Sequence, residues 1–123
     1  MKHKLVLLDS IALIDASADG QVVVSGSHGG ASAAGFVLAL QAKPLVVFYN
    51  DAGVGKANAG ILALEMLGAI GLACATYSHQ SACIGNAADG LENGVITHAN
   101  QAAQTLGIQA GARVKTWVEN WAL

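Results

Sequence analysis

Two of the four histidines of this 123-residue chain stand in polar segments where an imidazole could move a proton. His28 lies in Ser25-Gly26-Ser27-His28-Gly29-Gly30, and His79 in Tyr77-Ser78-His79-Gln80-Ser81-Ala82-Cys83. Imidazole titrates near neutral pH, so either residue suits general acid–base catalysis. Asp51, in Asn50-Asp51-Ala52-Gly53-Val54-Gly55-Lys56, has the carboxylate that could orient one of them. A nucleophile has two candidates. Ser25-Gly26-Ser27-His28-Gly29 follows the elbow pattern G-x-S-x-G except at its first position. That would expose Ser27, with His79 as base and Asp51 or Asp89 as orienter. The chain is far shorter than the hydrolases that use the elbow. Cys83 is the second candidate and would need His79 or a helix N-terminus to favour its thiolate. Its bland reading is a packed loop cysteine, as Cys74 is a buried one.

The same segments could hold a ligand. Glycine lets a backbone approach a guest closely, and the helix that follows points free N–H groups toward it. Gly26, Gly29, Gly30, Gly53 and Gly55 with Lys56 therefore suit an anion, and Asn50, Ser78 and Ser81 add hydrogen-bonding groups. The competing reading is that the glycines make tight turns. Asn50 and Ala57 break the phosphate-loop pattern, and Asn58 breaks the dinucleotide pattern, so no nucleotide cofactor is expected. Zinc is chemically permissible at His28, His79 and Cys83 or Asp51. No CxxC or HxxxH pair supports it, and no metal is expected.

Three strand–loop–helix repeats position these segments. Gln21 to Ser25, Leu45 to Tyr49 and Leu72 to Tyr77 are apolar runs that read as buried strands. Ala31 to Gln41, Lys56 to Leu67 and Leu91 to Leu106 have helical composition, with Gly107 as the last one's cap. Lys4 to Ile14 reads as a strand or two short ones, and the Asp19-Gly20 turn suggests an N-terminal hairpin. Ala112 to Val118 reads as an added strand. The fold class is α/β: a small single domain over residues 1–123, with a mostly parallel sheet of about 4–5 strands. In such sheets ligands bind outside the carboxyl ends of the strands. The polar segments fall there, whereas Gln41 to Pro44 and Gly68 to Gly71 on the other side carry little chemistry. His98 falls within the last helix, and Trp117 and Trp121 read as core or interface anchors.

Composition narrows the partners. The net charge is −2, with six Lys or Arg scattered along the chain, so no nucleic-acid surface is expected. Only 11% of residues are charged, against about 25% in ordinary soluble domains. Burial of part of the surface in a homo-oligomer would account for that. The apolar stretch Ala57 to Tyr77 approaches the length of a membrane span, yet Glu65 near its middle argues against insertion. The basic start Met1 to Ser10 has too short an apolar run for a signal peptide, and a cytoplasmic location is expected.

Asn50 to Lys56 (NDAGVGK) and Tyr77 to Asn100 (YSHQSACIGNAADGLENGVITHAN) resemble a group of small bacterial proteins of unassigned function. The stretch from Pro44 through Gly111 is also similar to the YunC-like family of small α/β proteins, without that family's cysteine–glycine segment. Neither resemblance implies a catalytic residue. Two readings follow: a protein that binds a small polar or anionic metabolite, with His28 or His79 serving any chemistry, or a non-catalytic oligomeric accessory protein.

Overall fold

Short apolar runs rich in β-branched residues become the sheet. The computed structural model describes residues 3–122. β1 (Leu5–Leu8), β2 (Val22–His28), β3 (Val46–Asn50), β4 (Ala73–Tyr77) and β5 (Ile96–Ala99) lie side by side in chain order. The first four run parallel and β5 is antiparallel to β4. Helices α1 (Ala31–Leu38) and α2 (Ala63–Gly68) follow β2 and β3, and α3 (Ala87–Asn93) follows β4. Two more helices, α4 (Gln101–Thr105) and α5 (Val114–Trp121), complete the described chain. It is a small α/β domain with a mostly parallel sheet, as the repeats imply.

Alternation along the strands divides the core in two. Val23, Val47, Tyr49 and Cys74 face α1 and α2, while Val22, Val24, Phe48, Ala75 and Tyr77 face α3 and α5. Burial raises the pKa of the Cys74 thiol, which keeps it protonated and inert.

The chain departs from expectation in four places. No hairpin forms at the start: Leu5 to Leu8 pair in parallel with Val22 to Ser25. Between them the chain doubles back through 3₁₀ turns at Ile11–Leu13 and Ala16–Ala18, capped by the side chains of Ser10 and Asp15. Buried Ile11 and Ala18 anchor that return over the α1 face. The expected helix from Lys56 is a 3₁₀ segment, Lys56–Ile61, before α2 begins at Ala63. The expected helix from Leu91 to Leu106 is three elements: the end of α3, then β5, then α4. Gly94 ends α3, and Asn100 caps α4 by accepting the Ala103 N–H at 2.9 Å. The Asn100 amide also accepts from Cys74 N and donates to the Leu64 and Leu72 carbonyls. It thus joins α2, β4 and α4. Gly107, at φ +85°, follows α4 as the expected cap.

Ala112 to Val118 is no strand. Val114, Trp117, Val118 and Trp121 recur at helical spacing and form the apolar stripe of α5, the first three buried and Trp121 half-buried. Trp117 stacks on Trp121 with centroids 5.1 Å apart, meets Phe48 at 5.6 Å, and donates from Nε1 to the Leu106 carbonyl. It is a core anchor. The Ala57 to Tyr77 stretch comprises turns, α2 and β4, and no described helix is long and apolar enough to cross a membrane.

Candidate functional site

The carboxyl ends of β2, β3 and β4 bring the three polar segments together by backbone hydrogen bonds. Gly85 N donates to Gly26 O at 2.6 Å, Gly29 N to Asn50 O at 3.1 Å, and Asp51 N to Tyr77 O at 2.8 Å. Asp51 sits where β3 ends, with 5% of its surface exposed. One oxygen, Oδ1, accepts from Gly53 N at 2.8 Å, from His79 N at 3.0 Å and from the His79 ring at 3.2 Å. Burial by itself would raise this carboxyl's pKa. The amide hydrogens of Gly53 and His79, with the Thr97 hydroxyl and the His79 ring, outweigh it and hold the group below the usual carboxylate range. Asp51 is therefore ionised at neutral pH.

His79 is the exposed half of the pair, with 48% of its side chain accessible. Because Nδ1 faces the Asp51 carboxylate, it carries the proton and Nε2 keeps its lone pair for a substrate. The ring rests on Gly53, where a Cβ would lie 3.4 Å from the imidazole. Gly53 is therefore a seat for the ring.

The loop after Asp51 is strained. Ala52, Val54, Ala57 and Asn58 hold φ of +50°, +69°, +55° and +60°, a region that costs L-residues roughly 1–2 kcal/mol each. Internal hydrogen bonds hold it there: Ala52 N donates to Asn50 Oδ1, Val54 N to Asp51 O, Gly55 N to Gly53 O and Gly60 N to Val54 O. Such strain concentrates at functional sites. Val54→Gly is expected to raise stability by about 1 kcal/mol, read as a higher urea midpoint. A lower midpoint would mean that the valine side chain packs for more than its backbone costs.

The remaining candidates divide between exposed chemistry and structural duty. His28 is exposed at the end of β2, beside Gly30, and Lys56 is exposed in the loop. Asn50 is fully buried, donating to the Ala82 carbonyl while accepting from Ala52. Ser27 Oγ accepts the Ile11 N–H at 3.0 Å, which places it at the β1 side, away from the Asp51–His79 pair. Ser78 and Ser81 brace the turn: Ser81 Oγ donates to Ser78 O and accepts from Val95 N. Gly26 is packed against backbone, and Gly53 and Gly55 spend their N–H groups within the loop. Cys83 is exposed, and its neighbour is the Asp89 carboxylate, which accepts its backbone N–H at 2.7 Å. No three His, Cys, Asp or Glu side chains among the described residues gather as metal ligands. The set His28, His79 and Cys83 does not converge.

Thr76, Thr97 and His98, none of them a sequence-predicted site residue, form a second polar cluster where β4 meets β5. Pairing between β4 and β5 shifts between Thr76 and Tyr77, so that Thr76 faces His98 and Tyr77 faces Ile96. Thr97 is left as the extra residue of a bulge, a feature common beside active sites. Fully buried Thr76 shares its hydroxyl with Thr97 Oγ1 at 2.9 Å and His98 Nδ1 at 3.3 Å. His98 thus stands on the outer strand instead of a helix. The run Ile96-Thr97-His98 between Gly94 and Asn100 was the available signal, since β-branched residues bounded by breakers favour a strand.

A groove of about 1110 Å³ opens beside this bulge, between α2, β5 and α4. A smaller one of about 220 Å³ adjoins it at Leu64 and Glu65 and reaches Ala57 and Asn58 of the strained loop. Comparison with protein-family models, with curated proteins and with solved structures gives no match for this chain.

Proposed function

We propose that this protein binds a small polar or anionic molecule at the carboxyl ends of its strands and that His79 serves there as general acid and base. The observation that carries this reading is the contact between the buried Asp51 carboxylate and His79 Nδ1 at 3.2 Å. A carboxylate in that place fixes the imidazole's tautomer and orientation and stabilises the imidazolium that forms when Nε2 takes a proton. Lys56, exposed in the adjoining loop, supplies the charge for an anionic group on the substrate. The loop amides of residues 52–55 are occupied by internal hydrogen bonds, so the side chains do the recognising.

His79→Ala tests the assignment. The ring is half-exposed and Asp51 keeps its two amide donors, so stability is expected to change by no more than about 0.5 kcal/mol. Thermal melting of the variant beside the wild type reads this. Chemical-shift mapping with a panel of small carboxylates, phosphates and neutral metabolites is then expected to move Asp51, Lys56, Ser78 and His79 in the wild type. In the variant the shifts at Asp51 and Lys56 should vanish. A melting temperature far below the wild type would make His79 structural and overturn the reading.

A second reading, a non-catalytic homo-oligomeric accessory protein, is favoured by the low charge and by exposed Leu7, Leu13, Phe36 and Ile84. It requires a sedimentation mass above that of one chain and no ligand-dependent shift at His79.

A further inference from the structure

The groove beside β5 has a chemistry of its own, distinct from that of His79. At about 1110 Å³ it slightly exceeds the roughly 300–1,000 Å³ common for small-molecule sites. Glu65 is its one charged lining residue among the described residues, and no Lys or Arg faces it. Amides dominate the remainder. The side chains of Gln101 and Gln109 form no hydrogen bond with any described residue, whereas Gln104 commits its Nε2 to the Ala99 carbonyl at 2.9 Å. Gln104 therefore offers an acceptor, Oε1, in addition to the Glu65 carboxylate. His98, also in the lining, has Nδ1 engaged with the buried Thr76 hydroxyl, which holds the ring and leaves Nε2 for a guest. Leu64 and Ala110 give the groove an apolar wall.

Phosphates and ionised carboxylates bring negative charge and chiefly acceptor oxygens, and here they would meet a carboxylate and an amide oxygen with no Lys or Arg to offset them. A hydroxyl both donates and accepts, and amide side chains match it in both roles. The geometry points to a binding site in this groove for an uncharged, polyhydroxylated molecule, a sugar or polyol. Its hydroxyls would be read by Gln101, Gln104, Gln109 and His98, and its C–H faces would lie on Leu64 and Ala110. The site stands or falls without the His79 assignment, because none of its contacts involves that residue.

Amide and side-chain chemical-shift mapping of the wild-type protein tests it, with glucose, maltose and glycerol as probes and inorganic phosphate and acetate as controls. Saturable shifts at His98, Gln101, Gln104 and Gln109 with at least one neutral probe, and none there with phosphate or acetate, are expected. Gln109→Ala and Gln101→Ala alter exposed side chains and leave the fold intact. Each is expected to weaken that probe's binding about tenfold, the effect of one lost hydrogen bond of about 1.4 kcal/mol. His98→Ala should weaken it further while Thr76 keeps Thr97 as partner. The proposal is overturned if no neutral probe shifts these residues, or if phosphate shifts them equally. Shifts that grow with protein concentration alone would also overturn it, by showing that a second copy of the chain fills the groove.

Discussion

Gly26→Ala is expected to lower the stability of this protein by about 3 kcal/mol. A Cβ at Gly26 would stand 2.5 Å from Asn86 N, 2.6 Å from the Gly85 carbonyl carbon and 2.7 Å from Asp9 O. All three are backbone atoms, so no side chain can swing aside. The segments are also tied together there, by the Gly85 N–H to Gly26 O and by the Ala87 N–H to Asp9 Oδ1 at 2.9 Å. Making room would break those bonds. Gly35→Ala is the control: it lies in α1 with nothing within 4 Å of an added Cβ, and helix propensity should stabilise that variant by about 0.5–1 kcal/mol. Urea denaturation of the two variants beside the wild type decides the matter. A loss of under about 1 kcal/mol at Gly26 would mean that the loops yield, and would return Gly26 to the ligand-binding role its sequence context suggests.

Asp51 is expected to matter next. Asp51→Ala removes a charged acceptor from two amide donors and an imidazole at once, for a loss of about 3 kcal/mol. Asp51→Asn retains a carbonyl oxygen and is expected to lose about half as much. The two variants also separate in their response to acid. The folded state holds the Asp51 carboxyl below its ordinary value, so as pH falls the unfolded chain takes up the proton first. The stabilisation is therefore complete above the unfolded value of about 3.9 and is lost as pH falls through the lower folded value. Asp51→Asn cannot titrate, and its stability should decline less steeply below about pH 4. Asp15, held low by the Ser17 hydroxyl, and Asp89, held low by the Cys83 amide, retain their shares in both proteins. Urea midpoints measured from neutral pH into the acid range check this. Superimposable acid limbs for wild type and Asp51→Asn would show that the Asp51 hydrogen bonds do not favour its charged form.

Much of the frame was legible in local pattern. β-Branched runs marked β2 and β3, and the polar composition of residues 25–30, 50–56 and 78–86 placed them at one edge of a parallel sheet. These signals survive because a strand buried on both faces must be apolar, and a loop exposed at its end must carry polar or glycine residues, whatever lies elsewhere in the chain. The residues flagged for proton chemistry included the pair that meets, Asp51 and His79, 28 positions apart. The sequence left Asp51 and Asp89 as alternative partners of His79, and the choice depends on β3 and β4 lying in register as neighbours.

Where two local patterns fit the same residues, tertiary packing chose. Ala112 to Lys115 alternates like a strand, but Trp117 and Val118 both need burial, and only a helix puts consecutive apolar residues with Val114 and Trp121 on one face. Residues 91–106 have helical composition as a whole. The strand within them exists because β4 offers an edge, and Asn100 finds partners on three elements that sequence proximity does not supply. The direction of β1 followed from burying Ile11 and Ala18 under α1, which a two-residue turn could not do. The bulge that aims Thr97 and His98 toward the groove arises from a one-residue shift between two strands. By itself, then, the amino-acid sequence determined which segments are buried, which are loops, and which loops hold chemistry, since those follow from short-range periodicity and residue type. Strand direction, register and the partners of Asp51, Thr76 and Asn100 were decided only in the folded chain, because each is set by contacts between segments that local pattern cannot pair.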